Sequence, residues 1–396
     1  MSFKLKDIAT EKMIVNIGPS HPMTHGTLRM QFELDGEHIE RAALEIGYLH
    51  RCFEKEAEER TWSQIVPYCE RLNYLSPVSN SIGWCLAVEK LLQLEAPPRA
   101  QAIRVILCEV NRIMDHMVCI GAAAVDLGAL TNFWYLFNFR ERIYSLLEEV
   151  CGARLMVNYP RVGGVVRDLP DGWVEHCRAL MDELPNVLGE VSSLLERNRI
   201  LVDRLKDVGI ISGERAIAYG FTGPCLRASG VSLDLRRDEP YMGYETYDFE
   251  IPSRPNGDCY DRFFIRFDEM RESQKIVRQA LDRLPKGDFL IRDSRVALPP
   301  KSEVYGSIEG LVNHFKLVFE GIRPPKGEVY SATEAVNGEL GYYIISQGEG
   351  KPYRTHCRAP CFPIFSAFPE MAKGHMVADA VAILGGINIV AGELER

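Results

Sequence analysis

Apolar and polar residues alternate near the start of the chain. The apolar residues at positions 28, 30, 32 and 34 are separated by polar ones, and the pair Asp35-Gly36 follows before Ile39. Strict alternation is typical of a half-buried strand, and Asp-Gly between two such runs is a strong signal of a hairpin turn. The pattern therefore predicts a β-hairpin close to the N-terminus.

Longer segments show the spacing of helices. Apolar residues recur every three or four positions over residues 99–124, which predicts one long helix. Two further long helices are predicted over residues 132–150 and 172–203, with Pro185 as a candidate break in the second. Because apolar positions are dense in all three, we expect these helices to pack as a central bundle.

Beyond Ile210 glycine and proline become more frequent and the predicted elements are shorter. Residues 241–251 alternate between aromatic or apolar and polar side chains, which predicts an extended segment. The other predicted elements are helices within residues 47–59, 81–94, 258–284, 308–319 and 370–384, and short strands at 329–330 and 341–346.

Together these elements predict an α+β fold that is mainly helical. We divide it into an N-terminal β region (residues 1–45), a helical core (46–320), and a small β unit with a C-terminal helix and tail packed back on the core (321–396).

One apolar stretch is long enough to cross a bilayer. From Met117 to Phe139 the only charged residue is Asp126. Polar residues in its middle argue against a membrane span, since they are costly in lipid. We interpret the stretch as two helix ends that meet at a break, with Asp126 buried there. Two interpretations of this carboxylate stay open: it pairs with a distant histidine, or it caps a helix that begins near Leu127 or Asn132.

Charge and cysteine content narrow the class of function. The 396 residues include 46 Lys and Arg against 55 Asp and Glu, a net charge of −9, which disfavours nucleic-acid binding. The 11 cysteines include no Cys-x-x-Cys pair, so we expect reduced thiols and no zinc or iron–sulfur site made by this chain alone. Residues 1–12 are polar and carry both signs of charge, so we expect no signal peptide.

The stretch of residues 16–29 carries the first candidate chemistry. His21 and His25 lie four positions apart, but Pro22 between them disfavours a helix, so both belong to a loop. A histidine titrates near neutral pH and is a candidate proton donor. The alternative, that both only satisfy backbone groups of the loop, stays open. The chain contains no Gly-x-Gly-x-x-Gly or phosphate-loop motif, so nucleotide binding has no support.

Several motifs follow one another along nearly the whole chain: Gly-Pro-Ser-His-Pro-Met-Thr-His-Gly-Thr-Leu-Arg (18–29), Ile-Gly-Tyr-Leu-His-Arg (46–51), Pro-Pro-Arg-Ala (97–100), Asp-Leu-Gly-Ala-Leu-Thr (126–131), Gly-Ala-Arg (152–154), Leu-Arg-Ala-Ser-Gly (226–230), Lys-Gly-Glu (326–328), Gly-Glu-Leu-Gly-Tyr-Tyr (338–343) and Gly-Glu-Leu-Glu-Arg (392–396). In this order they resemble the D subunit of complex I, the quinone-site subunit of proton-pumping NADH:quinone oxidoreductase.

The resemblance implies a fold shared with the large subunit of nickel–iron hydrogenases. Those enzymes hold their metal with one Cys-x-x-Cys near each end of the chain. The matching places here are residues 48–51 and 388–391, and neither contains a cysteine. Because nickel requires such soft thiolate ligands, we expect no metal in this chain, and we expect the former metal cavity to be free for another substrate.

The resemblance also implies roles for single residues. His25 matches the histidine at the quinone headgroup, Tyr74 matches the tyrosine on the other side of the headgroup, and Asp126 matches the carboxylate paired with that histidine. His50 and Arg51 match residues beside a [4Fe-4S] cluster held by a neighbouring subunit. The implied function is quinone reduction with electrons from that cluster, and no cofactor is expected in this chain itself.

Three positions depart from the pattern of the family. Met156 stands where the family often has a histidine that titrates with the cluster, so we expect the potential of the cluster to depend less on pH. Ser20 replaces the usual glutamine before His21. Because the resemblance singles out His25 for the headgroup, we expect His21 to be a structural residue of the same loop. Glu395 replaces the usual aspartate before Arg396, which is a mild change.

The implied partners are cluster-bearing and other peripheral-arm subunits of complex I, the membrane-arm subunits at the quinone entrance, and quinone itself. The implied location is peripheral, on the cytoplasmic face of the cell inner membrane. Two alternatives stay open: a scaffold that docks a cluster protein to the membrane arm, and quinone reduction fed by ferredoxin instead of NADH. A cavity that reaches the surface from Tyr74 and His25 would favour quinone reduction over the scaffold.

Overall fold

Eight short strands form three small antiparallel sheets in residues 12–396, the part of the chain that this computed structural model describes. The strands are β1 (Met13–Ile17), β2 (Arg29–Asp35), β3 (His38–Glu45), β4 (Pro160–Arg161), β5 (Gly164–Val165), β6 (Gly327–Ala335), β7 (Gly338–Ser346) and β8 (Arg354–Arg358). They pair in the orders β1-β2-β3, β4-β5 and β6-β7-β8. The expectation of no signal peptide falls almost wholly on residues 1–11, which lie outside the described residues.

Helices account for most of the regular structure in the same residues. They are α1 (Phe53–Glu59), α2 (Val66–Glu70), α3 (Pro77–Leu92), α4 (Pro98–Asp126), α5 (Leu130–Cys151), α6 (Trp173–Leu195), α7 (Arg199–Leu205), α8 (Gly213–Tyr219), α9 (Gly223–Arg227), α10 (Leu235–Asp238), α11 (Cys259–Asp282), α12 (Lys301–Gly306), α13 (Ile308–Phe319), α14 (Cys361–Ser366), α15 (Phe368–Ala372), α16 (Val377–Ile387) and α17 (Ala391–Leu394). The predicted α+β fold with mainly helical structure is confirmed.

The N-terminal hairpin is confirmed. Strands β2 and β3 pair around Gly36, with Asp35 opposite His38. Strand β1, which the alternation did not predict, pairs along the other edge of β2. The core face of the sheet carries Phe32, which is fully buried and stacks on Phe368 of α15 with ring centroids 6.3 Å apart. The hairpin is therefore anchored to the C-terminal helices.

The predicted central bundle forms, and it contains a fourth member. Helices α4, α5 and α6 pack side by side, and α11 packs against both α4 and α6. Within this bundle α4 is the longest helix, with 29 residues, and most of its side chains are buried. The apolar spacing in the sequence predicts burial of one face of this helix. In the structure α4 is also covered on its other faces, because α3, α5, α11 and α16 all pack against it.

The boundaries of two predicted helices differ from those in the structure. Helix α6 runs through Pro185 without a break and stops at Leu195. The break comes at Asn198, because its side chain accepts hydrogen bonds from the first backbone N–H groups of α7. The predicted C-terminal helix over residues 370–384 is two helices, α15 and α16, separated by Gly374 with φ of 81°. Helix α16 continues through Gly385-Gly386, which were expected to end it.

The prediction that residues 241–251 form an extended segment is wrong. Its tyrosines 241, 244 and 247 are three positions apart, and their rings make edge contacts around a short 3-10 turn. The hydroxyl of Tyr244 donates a hydrogen bond of 2.7 Å to the buried Glu109 Oε1. A buried acceptor far along the chain therefore decides this local conformation.

The break between α4 and α5 falls where the apolar stretch was expected to turn. Helix α4 ends at Asp126 and α5 begins at Leu130. Among the helices of residues 12–396, none is long and apolar enough to cross a membrane.

Two hydrophobic cores hold the molecule together. The larger joins the N-terminal sheet, the bundle and the C-terminal helices, and the smaller joins α1, α2 and α3 to the sheet β6-β7-β8. Both cores combine elements from distant parts of the chain. The three-part division at residues 45 and 320 stays a prediction.

Candidate functional site

A cavity of about 550 Å³ opens where the loop after β1 meets the segment after α2, one face of α4, the loop after α5 and α17. Its lining, hereafter the cavity lining, is His25, Gly26, Leu49, Arg51, Arg71, Tyr74, Leu75, Val118, Ala122, Met156, Asn388, Ile389, Val390, Ala391 and Gly392. Three of the five predicted site residues, His25, Tyr74 and Arg51, belong to it. The wall is mostly apolar, with a few polar groups that converge, which is the usual composition of a small-molecule site.

The loop that presents His25 is held by its own polar groups. His21 Nδ1 accepts a hydrogen bond of 3.2 Å from the backbone N–H of Met23. Thr24 Oγ1 lies 2.8 Å from His21 O and 2.7 Å from Gly26 O, which share its single proton as acceptors. Residues 22–24 form a single 3-10 turn, and His25 follows it with φ of 49° in the left-handed region. His21 thus satisfies the loop backbone, as the structural interpretation predicted, whereas His25 is turned to the cavity.

Asp126 lies against His25. His25 Nε2 is 2.7 Å from Asp126 Oδ2, a separation typical of an ion pair, and their side chains are 32% and 18% exposed. The carboxylate was expected to be buried, and it is half-buried: its side chain is 18% exposed, while its Oδ2 atom is buried. The capping interpretation is wrong: Asp126 is the last residue of α4, and Ala129 precedes the first turn of α5. Of the two interpretations, the structure agrees with the first: Asp126 pairs with a histidine that is distant in sequence, His25.

Tyr74 projects into the cavity from the segment after α2, and 46% of its surface is exposed. Burial of its hydroxyl, followed by the nearby charge of Asp115, raises the pKa of Tyr74. The hydroxyl therefore keeps its proton at neutral pH and can donate a hydrogen bond to a ligand.

A polar cluster fixes the backbone behind Tyr74. Asp115 Oδ2 accepts hydrogen bonds of 2.9 Å from Asn73 Nδ2 and Ser76 Oγ, and Asp115 Oδ1 accepts one of 3.1 Å from Asn388 Nδ2. Asn388 belongs to the cavity lining, so this carboxylate joins the base of Tyr74 to the opposite wall. The position of the tyrosine is set by α4 as well as by its own segment.

Arg51 is a fixed cation on the cavity wall. Its Nη2 donates a hydrogen bond of 2.7 Å to the backbone carbonyl of Arg71 and a longer one of 3.5 Å to that of Gly392. Burial, and secondly the charge of Arg71, lower the pKa of Arg51. An arginine nevertheless stays charged at any physiological pH. The cavity lining therefore carries a positive charge at Arg51.

His50 points away from this cavity. Its Nδ1 lies 3.0 Å from the backbone carbonyl of Glu395, and it lines a separate hollow of about 320 Å³ with Glu54 and Arg396. The structure thus separates His50 from Arg51, although the two are neighbours in sequence. A turn at Gly47 to His50, together with the left-handed Cys52, directs the adjacent side chains to different surfaces.

The two places matched to hydrogenase metal ligands meet at the cavity. Leu49 and Arg51 come from the first place and residues 388–391 from the second. Throughout residues 12–396, no group of three or more His, Cys, Asp or Glu side chains is arranged to hold a metal ion. The 11 cysteines are free, and all except Cys52 and Cys151 are buried.

A buried charge cluster that was not predicted from the sequence lies between α4, α9, α10, α11 and β6. Its members are Glu109, Arg112, His116, Arg227, Asp234, Arg236, Glu269 and Glu334. Arg227 donates hydrogen bonds of 2.7 Å to Glu269 Oε1 and to Glu334 Oε1, and His116 Nε2 lies 2.8 Å from Glu269 Oε2. The signal was present in α4, where charged residues recur at helical spacing within an otherwise apolar run.

Pairing keeps this cluster ionised. Although burial acts against ionisation, Arg227 and the hydrogen bond from His116 hold the pKa of Glu269 well below its ordinary value. Burial lowers the pKa of His116, so its ring is neutral at pH 7. With the ring of His116 neutral, three arginines face four carboxyl groups, and the charges of the cluster are paired mainly with one another.

Comparison with known proteins gives consistent matches. The family described as respiratory-chain NADH dehydrogenase, 49 kDa subunit, matches residues 126–396. The D subunit of NADH-quinone oxidoreductase from Myxococcus xanthus is 50% identical over 98% of this chain and 94% of the relative. The D subunit from Geobacter sulfurreducens is 51% identical over 98% of this chain and 100% of the relative. A C/D subunit from Bdellovibrio bacteriovorus is 52% identical over 98% of this chain and 70% of the relative.

The family match covers more than half of the chain, and the relatives are about half identical over almost all of it. The chain therefore belongs to the family of the 49 kDa subunit of respiratory-chain NADH dehydrogenase, which includes the D subunits of NADH-quinone oxidoreductase.

Proposed function

We propose that this chain forms the quinone-reducing site of an NADH-quinone oxidoreductase. The quinone headgroup binds in the cavity between His25 and Tyr74, and a [4Fe-4S] cluster held by a neighbouring subunit supplies the electrons. The chain holds no cofactor of its own in this proposal, and it is not active alone.

The observation that carries the proposal is the cavity itself. One open space of about 550 Å³ is lined by His25, Tyr74 and Arg51, which come from three separate segments. A scaffold without a working site would have no need of such a space. The size and the apolar wall suit a ring-shaped organic headgroup, and the polar groups sit where they can contact its two oxygens.

Quinone reduction needs two electrons and two protons, and the side chains suit the proton steps. Tyr74 keeps its hydroxyl proton and can donate it or hydrogen-bond one quinone oxygen. His25 can serve the other oxygen, with Asp126 at 2.7 Å to orient the ring and to stabilise its protonated form. The charge of Arg51 in the cavity lining stabilises negative charge that develops on the headgroup.

We further propose that the chain works within the peripheral arm of the complex, on the cytoplasmic side of the membrane, beside cluster-bearing and membrane-arm subunits. Helix α13 supports a place inside an assembly. Its apolar residues Ile308, Phe315 and Phe319 are mostly exposed in the described chain. An apolar surface of this kind is typical of a protein–protein contact.

The test of the proposed function is a pair of substitutions in the assembled enzyme. Tyr74→Phe and His25→Ala should each lower quinone turnover by roughly 100-fold, because each removes a proton donor from the headgroup. Electron transfer from NADH to an artificial acceptor that accepts electrons before the quinone should stay normal. Tyr353→Phe, a tyrosine exposed outside the cavity lining, is the matched control and should leave turnover unchanged. Normal quinone turnover in both site variants would refute the proposal.

A further inference from the structure

Glu70 lies behind the cavity lining, at the end of α2, and its surface is completely buried. Its Oε1 accepts a hydrogen bond of 2.7 Å from the backbone N–H of Asn158. Its Oε2 is buried too and makes no hydrogen bond of good geometry among residues 12–396, while the hydroxyl of Ser81 on α3 lies close to the carboxyl. A buried carboxyl with one poorly hydrogen-bonded oxygen is costly when it is ionised, and the proposed proton donors of the cavity do not account for it.

Asn158 ends the segment of residues 152–158, hereafter the cavity-wall loop, which joins α5 to β4 and carries Met156 into the cavity lining. Its φ of 44° lies in the left-handed region, which residues other than glycine seldom adopt. Arg161 Nη1 donates to Asn158 O at 2.8 Å and to Asn158 Oδ1 at 3.0 Å. Glu70 and Arg161 thus hold opposite sides of Asn158 and fix the end of the loop.

Two arginines act on Glu70 from the surrounding elements. Burial raises the pKa of Glu70 to about 7, although the Asn158 N–H and then the charges of Arg71 and Arg161 act in the opposite direction. Both arginines keep their charge over the whole physiological range. They moderate the shift but do not titrate themselves.

The other titratable groups that face Glu70 are thiols. Burial raises the pKa of Cys85 on α3 and of Cys151 at the end of α5 to about 12, and it raises that of Cys69 on α2 well above its ordinary value. All three are therefore neutral at pH 7. Of Glu70, the two arginines and the three thiols, the carboxyl of Glu70 is the group whose pKa lies near 7.

We propose that Glu70 is a positioning residue that keeps the cavity-wall loop closed while it carries a proton and loses that proton to water when the loop opens. No electron takes part in this step, and the proton returns from water on closure. Because Met156 moves with the loop, the fit of the headgroup depends on the protonation of Glu70. In this last point the inference rests on the proposed function.

The sign of the coupling follows from linkage. The closed loop binds the Glu70 proton with a pKa of about 7, whereas an open, hydrated carboxyl returns toward its ordinary value of 4.5. Opening therefore releases a proton between these two pH values, and the opening equilibrium rises with pH by up to about tenfold per unit in that window. Above about pH 7 both forms are ionised, and the dependence levels off.

Hydrogen exchange of the backbone in the purified, assembled enzyme tests this coupling directly. The rate for residues 152–158 is measured from pH 5 to pH 8 in the wild type and in Glu70→Gln, whose amide oxygen can still accept from Asn158 N–H. The ratio of the two rates should rise between pH 5 and pH 7 and stay constant above, because chemical exchange is the same in both proteins and cancels. Glu190→Gln, an exposed carboxylate on α6, should behave like the wild type.

A ratio that is constant from pH 5 to pH 8 overturns the inference, whatever quinone turnover does. Glu70→Asp keeps the titrating carboxyl and should keep the response. If Glu70→Gln does not assemble, the test uses the wild type alone. The exchange rate of residues 152–158, divided by that of the turn at residues 35–38, should then rise between pH 5 and pH 7.

Steady-state kinetics tests the link to the cavity. The KM for a water-soluble quinone in the wild type, divided by that of Glu70→Gln, should rise several-fold from pH 5.5 to pH 7.5, while kcat changes less. A loop that responds to pH without any change in this KM ratio overturns the positioning role. Failure of the proposed function would appear instead as normal turnover in the Tyr74 and His25 variants.

Discussion

The position of Asp126 depends on where α4 ends. The helix stops at this residue, so its carboxylate stands beside the loop that presents His25, 2.7 Å from the ring nitrogen. One turn more or less of helix would carry the carboxylate about 5 Å along the axis and out of reach. The place where a helix ends therefore brings two distant segments of the chain into contact at the site.

The first prediction concerns this pair. Asp126→Asn keeps the shape of the side chain but removes the charge that stabilises a protonated His25, so quinone turnover should fall by roughly 10- to 100-fold. If the two residues act as a unit, adding Asp126→Asn to His25→Ala should cause little further loss.

The matched control for this prediction is Asp203→Asn on α7, an exposed aspartate that pairs with Arg199 across one helical turn. It should leave turnover unchanged. Losses of Asp126→Asn and His25→Ala that simply multiply in the double variant would show that the residues act independently.

At the scale of elements, the close approach of α17 to the segment after α2 forms one wall of the cavity. An added Cβ at Gly392 would lie 2.8 Å from the carbonyl oxygen of Arg71 and 3.1 Å from Arg51 Nη2. Only a residue without a side chain fits between these two groups. The short helix at the C-terminus therefore sets the depth of the cavity and the place of Arg51.

The second prediction follows from this lack of space. Gly392→Ala should lower the free energy of unfolding by about 1–3 kcal/mol, because the backbone carbonyl cannot move aside as a flexible side chain could. It should also raise the KM for quinone several-fold by displacing Arg51. Urea unfolding and steady-state kinetics measure the two effects.

Gly189→Ala is the control, since Gly189 lies in the exposed part of α6 with open space around it. In a helix interior alanine is favoured over glycine, so this variant should be more stable by about 0.5–1 kcal/mol. Equal effects of the two substitutions would contradict the steric argument.

At the scale of the whole molecule, the buried charge cluster connects helices of the larger hydrophobic core to the sheet β6-β7-β8, which packs in the smaller core. Arg227 on α9 reaches Glu269 on α11 and Glu334 on β6, and each of these side chains is almost fully buried. A buried charge is tolerated only when its partners are present. The cluster therefore specifies how the bundle and the sheet β6-β7-β8 meet behind the cavity.

The third prediction is that Arg227→Met destabilises the fold by about 3–5 kcal/mol, because the two glutamates would be left without their cation. Thermal and urea unfolding of the chain measure the loss. The control is Arg215→Met at the surface, which breaks an exposed ion pair with Glu370 and should leave the unfolding midpoint unchanged. A comparably small effect at Arg227 would show that the cluster contributes little to stability.

Local patterns were enough for part of the fold. The alternation at residues 28–34 and the Asp-Gly pair determined the hairpin, and the apolar spacing of residues 99–124 determined most of α4, because both depend on neighbours two to four positions apart. The polar interruption around Asp126 determined the break between α4 and α5. These features follow from the chain itself and do not require knowledge of its packing.

The cavity was decided only by the tertiary structure. His25, Tyr74 and the end of α17 become neighbours through contacts between segments separated by up to several hundred residues, and no local pattern encodes such a meeting. The same holds for Tyr244, which turns toward the buried Glu109 instead of continuing a strand. Family resemblance named the site residues, but chain packing gave them their distances, separated His50 from Arg51 and buried Glu70, because side-chain direction and desolvation arise only when the elements come together.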